Sequence, residues 1–208
     1  MEILHGNAVV GQSGGPTAAI NATLAGVISG AIRTEAIDKI YGMKNGIEGF
    51  LREDIICLND YFTDEAAFER LKRTPAAALG SCRKKLPVES DPKYKETFER
   101  LIELFKKYDI KYFFYIGGND SMDTVAKLSK YTQEVGYEMR IIGVPKTIDN
   151  DLLGTDHTPG FGSAAKYISV TMQEILRDTA VYTVSAVTVV EIMGRDVAGL
   201  PHRARSDA

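Results

Sequence analysis

Arg140-Ile141-Ile142-Gly143-Val144-Pro145-Lys146-Thr147-Ile148-Asp149-Asn150-Asp151 is the stretch that decides the fold. Its first half is a short apolar run closed by a proline, the pattern of a buried strand. Its second half puts a lysine, a hydroxyl and two carboxylates directly beyond the strand's C-terminal end. Open α/β sheets hold their ligands at that edge. A cation, a candidate base and hydroxyl anchors in one loop suit the transfer of a phosphoryl group to an alcohol. If the loop is extended, Asp149 and Asp151 point to the same side. Asp149 is then a candidate base for an attacking hydroxyl, Thr147 orients that hydroxyl, and Lys146 supplies charge to a leaving phosphate. An Asx-rich turn with surface charges also accounts for Asp-Asn-Asp.

Outward from this stretch, strand-like and helical segments alternate, which is the signature of a layered α/β sheet. Residues 7–10, 39–42, 111–116 and 140–144 read as strands. Residues 18–32, 64–73, 93–108, 121–132 and 161–178 read as helices, the third with Phe98, Leu101, Ile102 and Phe105 on one face. Gly46 and Gly49 flank an expected turn, and the β-branched run 182–193 reads as a last strand. With no internal repeat or low-complexity linker, one domain is expected. Its predicted class is α/β: a layered, Rossmann-like, mostly parallel sheet with helices on both faces.

The chain has 208 residues, 44% hydrophobic and 25% charged, ordinary for a soluble globular protein with a real core. A net charge of −3 offers no basic footprint for nucleic acid or an anionic membrane. No apolar run reaches the roughly 20 residues needed to span a bilayer. Met1 to Gly6 lacks the basic and apolar regions of a signal peptide. Cys57 and Cys82 alone make no disulfide framework, so a reducing, cytoplasmic setting is expected.

Other junctions carry similar chemistry. Gly11-Gln12-Ser13-Gly14-Gly15-Pro16-Thr17 follows a strand and precedes a helix, where free amides can hold a phosphate. A purely structural turn explains it equally, and it is neither a dinucleotide fingerprint nor a Walker A loop. Gly117-Gly118-Asn119-Asp120-Ser121 repeats the arrangement, with Asp120 a candidate Mg²⁺ ligand or, more plainly, part of a helix cap. Leu79-Gly80-Ser81-Cys82-Arg83-Lys84-Lys85 concentrates three positive charges, suited to phosphate oxygens or to solvent. Glu191-Ile192-Met193-Gly194-Arg195 ends the β-branched run with another arginine. If the strands are parallel, the junctions at 11–17, 117–121 and 145–151 share one sheet edge.

Together these blocks resemble the phosphofructokinase family, specifically its pyrophosphate-dependent branch. The resemblance rests on Gly14-Gly15-Pro16 with Asn21, Tyr41-Gly42, Leu79 to Arg83, Gly117 to Ser121, Pro145 to Asp151 and Met193-Gly194-Arg195, in the family's order over about residues 7–196. It implies that Asp149 is the base deprotonating the 1-hydroxyl of fructose 6-phosphate. Thr147, Asp151, Met193, Gly194 and Arg195 would position the sugar. Gly15, Arg83, Gly117, Gly118 and Asp120 would hold the phosphoryl donor. ATP-using members typically carry glycine where this chain has Asp120 and Lys146. Asp120 would crowd the nucleoside side, and Lys146 would supply charge to a pyrophosphate leaving group. Mg²⁺ is the implied cofactor. Asn119 stands where much of the family has the metal-associated aspartate, which shifts that role toward Asp120.

The implied partners are fructose 6-phosphate and pyrophosphate, or ATP in the alternative reading, with a homo-oligomer in the full-length form and neither nucleic acid nor membrane. The domain expectation is an N-terminal catalytic lobe over residues 1–196. Residues 197–208 depart from the family pattern and read as a frameshifted or truncated tail. On that reading a second lobe is missing, the isolated chain has little or no activity, and a non-catalytic phosphate-binding fragment is the other alternative.

Overall fold

A computed structural model describes residues 3–192, which fall into two compact units. The first comprises the chain through Pro16 and residues 20–145; the second comprises residues 17–19 and the chain from Lys146 onward.

The first unit is a five-stranded sheet in the order β3-β2-β1-β4-β5. Its strands are β1 (Gly6–Gln12), β2 (Ile37–Met43), β3 (Ile55–Cys57), β4 (Ile110–Gly117) and β5 (Arg140–Pro145). Four are parallel, and only the short edge strand β3 runs antiparallel to β2. The helices of this unit are α1 (Ile20–Ile32), α2 (Gly46–Leu51), α3 (Glu65–Arg73), α4 (Tyr94–Lys107) and α5 (Asn119–Glu134).

Alternation along the central strands explains why helices cover both faces, since successive side chains point to opposite sides. Val9, Phe113 and Tyr115 join the core made with α2, α4 and α5. Ala8, Val10 and Ile116 join the core made with α1 and α3. In α4 the apolar residues Phe98, Leu101, Ile102 and Phe105 are buried, as their spacing predicts. Asp64 caps α3 by accepting the Ala67 amide at 2.7 Å. The expected turn at Gly46 and Gly49 is instead the short helix α2, entered through Asn45 in the left-handed region.

A charged clasp joins the α2–β3 turn to the end of α4. Glu53 occupies the left-handed region (φ 62°), and its carboxylate accepts from Lys107, Arg100 and the Tyr108 hydroxyl. Those bonds, Lys107's foremost, hold the Glu53 carboxyl down at about 2. A depressed acid stabilises the fold above its unfolded value of about 4.3, and that contribution disappears as pH falls toward 2. Glu53→Gln is therefore expected to lower the denaturation midpoint near neutral pH. Its difference from the parent should shrink as pH falls from about 5 to about 2; a pH-independent difference would show that charge is not the cause.

The second unit contains α6 (Phe161–Thr179), entered through Gly160 at φ 107°. The strand expected over 182–193 does not form over its described part, residues 182–192. A strand exists only through hydrogen bonds to a neighbouring strand, and no described residue supplies one. Val187 and Val189 are accordingly 92% and 90% exposed. Among the described residues no helix is long and apolar enough to cross a membrane.

Candidate functional site

The parallel register brings the C-terminal ends of three strands side by side: Gln12 pairs with Ile116, and Gly117 with Pro145. The order of strands reverses between β1 and β4, the switch point at which open α/β sheets form a ligand crevice. A pocket of about 50 Å³ opens there, lined by Ser13, Gly14, Arg83, Lys84, Asp120 and Ser121 among others.

Its walls are stitched together by polar groups far apart in sequence. Buried Gln12 accepts the Leu79 amide at 2.9 Å and donates to Asn21 Oδ1 at 2.9 Å. Asn21 in turn accepts the Ala78 amide at 3.0 Å and donates to the Thr74 carbonyl at 2.7 Å. Gly14 N–H donates to the Cys82 carbonyl at 2.9 Å, and the Ser81 hydroxyl donates to the Gly14 carbonyl. These bonds draw the basic segment onto the glycine loop. A Cβ at Gly15 would lie 3.7 Å from Arg83 Nη2, so Gly15 and Arg83 are neighbours.

From the opposite side, α5 begins directly after Gly117 and Gly118, with the Gly118 carbonyl accepting from the Ser121 and Met122 amides. Ser121 and Ser13 are both buried, and their hydroxyls hydrogen-bond across the switch point. A Cβ at Gly117 would sit 2.0 Å from Ser121 Oγ and 2.6 Å from Ser13 Oγ, so the crossing requires glycine. Asp120, the second residue of α5, pairs with Lys85 Nζ at 3.0 Å. Both side chains are exposed, so the pair contributes at most about 1 kcal/mol. It nonetheless places a carboxylate and an ammonium together at the pocket.

Among the described residues no group of three or more His, Cys, Asp or Glu is arranged to hold a metal ion. The lone exposed carboxylate of Asp120 beside a phosphate-sized pocket suits the other mode of Mg²⁺ binding, in which one or two carboxylates share the ion with phosphates and water. Asn119 opens α5 beside it and offers only a neutral amide oxygen.

The charged loop beyond β5 lies in the second unit. Lys146 is buried there, only 4% exposed. The loop takes the turn reading rather than the extended one: the backbone bends at Ile148 and Asp149, and Asn150 sits at φ 55°. Asparagine tolerates that region because its side chain bonds locally. Here Asn150 accepts the Thr158 amide at 2.9 Å and donates to the Asp156 carbonyl at 3.1 Å. Thr147 N–H donates to the Pro159 carbonyl at 3.2 Å, while the Thr158 hydroxyl donates to the Thr147 carbonyl at 2.7 Å. The Asp149 amide donates to Thr147 Oγ1 at 3.0 Å, which leaves the threonine's own proton as a donor.

Asn150→Ala removes this clasp and places an alanine in the left-handed region, at about 1–2 kcal/mol for the backbone alone. Faster amide exchange at Thr158, with exchange in β1 and β4 unchanged, is the expected result. Unchanged exchange at Thr158 would show that the clasp does not hold the loop.

Residues 7–204 match the family described as Phosphofructokinase. The chain belongs to the phosphofructokinase family. It is 47% identical over 193 residues to a pyrophosphate–fructose 6-phosphate 1-phosphotransferase of Halomonas elongata, a match that takes in 91% of this chain and 45% of the relative. An ATP-dependent 6-phosphofructokinase of Actinobacillus pleuropneumoniae is 36% identical, over 88% of this chain and 51% of the relative. A crystal structure of the pyrophosphate-dependent phosphofructokinase from Nitrosospira multiformis superposes with a TM-score of 0.86 at 45% identity, over 97% of this chain and 49% of that one. The chain thus spans about half the length of the curated relatives it matches.

Within this family frame, the structure gathers Gly15, Arg83, Gly117, Gly118 and Asp120 around one switch point. Lys146, Thr147, Asp149 and Asp151 share one bent loop of the second unit. Met193, Gly194 and Arg195 lie outside the described residues. Sequence reasoning missed Ser13, Ser121 and Tyr115 as pocket residues, and Asn150 and Thr158 as the loop's clasp. Ser13 and Ser121 stood within the quoted junction motifs, and Asn150 carried the Asx-turn preference of Asp-Asn-Asp, while Tyr115 and Thr158 carried no local signal.

Proposed function

We propose that this chain is the N-terminal catalytic lobe, residues 1–196, of a phosphofructokinase that transfers a phosphoryl group from pyrophosphate to the 1-hydroxyl of fructose 6-phosphate. The observation that carries the donor assignment is the pocket at the β1–β4 switch point. Its volume of about 50 Å³ suits a phosphate group, far below the roughly 300–1,000 Å³ of sites that enclose drug-sized ligands. Arg83, Lys84 and Lys85 bring positive charge to it, with Asp120 at its wall; in this proposal Asp120 crowds the side on which a nucleoside would continue. The identity to pyrophosphate-dependent relatives supports the same reading.

In this proposal Asp149 takes the proton of the sugar's 1-hydroxyl as that oxygen attacks the nearer phosphorus. The bridging P–O bond breaks and inorganic phosphate leaves, its charge met by Lys146. Thr147 and Asp151 orient the sugar, with Met193, Gly194 and Arg195. Gly15, Gly117 and Gly118 offer backbone amides to the donor. Asp120, with Asn119 as the weaker ligand, would hold Mg²⁺, which when bound neutralises charge on the phosphate oxygens. A cytoplasmic glycolytic role belongs to the same proposal.

Titration calorimetry of the chain with pyrophosphate and with ATP, each with Mg²⁺, tests the donor assignment. Pyrophosphate is expected to bind at least about tenfold more tightly, a difference of about 1.4 kcal/mol. Asp120→Gly combined with Lys146→Gly is expected to narrow that ratio. Equal or tighter ATP binding by the parent chain would favour the ATP-dependent reading, which the 36%-identical relative represents.

A further inference from the structure

Behind the basic wall of the pocket, two buried amides carry no part of the chemistry above. Gln12 ends β1 and Asn21 lies in the first turn of α1, and both are buried. Residues 74–93, which bring Arg83 to the pocket, form neither helix nor strand. Their backbone polar groups must therefore find partners elsewhere. Gln12 Oε1 accepts the Leu79 amide, Asn21 Oδ1 accepts the Ala78 amide, and Asn21 Nδ2 donates to the Thr74 carbonyl. A backbone amide can only donate and a carbonyl only accept, so these three groups fix which way both side-chain amides face. In that orientation Gln12 Nε2 donates to Asn21 Oδ1 at 2.9 Å and to the Ile20 carbonyl at 3.3 Å. Further along, the Asn45 amide donates to the Leu79 carbonyl at 2.8 Å, the Ser81 hydroxyl donates to the Gly14 carbonyl, and the Gly14 amide donates to the Cys82 carbonyl. Arg83 is the next residue.

We propose that Gln12 and Asn21, with Ser81, are positioning residues for Arg83, and that they set the pocket's affinity for a phosphate without touching it. Gln12 lies two residues before Gly14, so its side chain ties the Arg83 segment to the backbone that continues into Gly14 and Gly15. The guanidinium is thereby held beside Gly15 before a ligand arrives. On an untethered segment the same long side chain would have to be ordered during binding, at a cost in affinity. This inference rests on the reading of the pocket as the pyrophosphate site.

A double-mutant cycle on pyrophosphate binding, measured by calorimetry with Mg²⁺ on the full chain, tests this coupling. Arg83→Ala is expected to weaken binding at least about tenfold, the low end for lost hydrogen bonds to a charged group. Gln12→Met keeps the length of the side chain and is expected to weaken binding about fivefold in the parent, the scale of ordering one long side chain. In the Arg83→Ala background it should cause no further loss. Equal factors in both backgrounds would mean that the amides support the pocket as a whole, and would overturn the positioning role. Parental affinity in Gln12→Met would overturn it too. If Arg83→Ala binds pyrophosphate like the parent, the inference falls while the pocket's assignment stands; if the parent does not bind pyrophosphate, both fall. Should Gln12→Met not fold, Ser81→Ala removes a tether at a half-buried position and provides a second cycle with the same expected non-additivity.

Discussion

Gly117→Ala is expected to abolish pyrophosphate binding and to destabilise the first unit by about 3 kcal/mol, the upper range for overpacking a tight site. Its added Cβ would stand 2.4 Å from Ser121 Cβ. That atom is fixed by the backbone of α5, so no rotamer change relieves the contact, and the helix start must move away from the end of β4. The displacement separates the Ser13–Ser121 pair and carries Asp120 with it. Thermal denaturation and pyrophosphate calorimetry read the two effects. A variant with parental stability and affinity would mean that the β4–α5 junction is not packed as described.

The second large effect is expected in the core that supports this junction. Phe105 is fully buried, its ring 5.4 Å from Phe50 and 5.8 Å from Phe113, so it ties α4 to α2 and to β4. Phe105→Ala is expected to cost about 3–5 kcal/mol through lost burial and the cavity left behind. Domains of this size hold only about 5–15 kcal/mol in total, so a large share of the variant's stability would go. Val88→Ala, at a side chain 54% exposed, should stay within about 0.5 kcal/mol. Chemical denaturation of both variants checks the contrast, and comparable losses would contradict this placement of the core.

Much of the fold was legible because its signals are local. β1, β4 and β5 are apolar runs ended by Gly or Pro, and α4 carries its buried residues at helical spacing. The segment 182–192 shows where such a signal stops. Its β-branched residues favour a strand, but propensity cannot supply the neighbour that a strand's amides and carbonyls need. The three-residue β3 was unreadable for the opposite reason, since it owes its existence to the open edge of β2 rather than to any pattern of its own.

The candidate site divides in the same way. Which residue types stand at each junction was plain from the sequence: glycines and hydroxyls after β1 and β4, and lysine, threonine and carboxylates after β5. That was enough to expect phosphate chemistry at one sheet edge, because parallel strands bring their C-terminal ends together. The sequence could not show that Arg83 lies against Gly15, that Lys85 takes Asp120, or that Ser13 meets Ser121 across 108 residues. Nor could it show that Asn150 clasps the charged loop to Thr158. Local sequence determined which chemistry this chain carries and at which strand ends. Tertiary structure decided which of those groups meet, because contacts between distant residues depend on strand order and register, and these are set only when the whole sheet and its two cores pack.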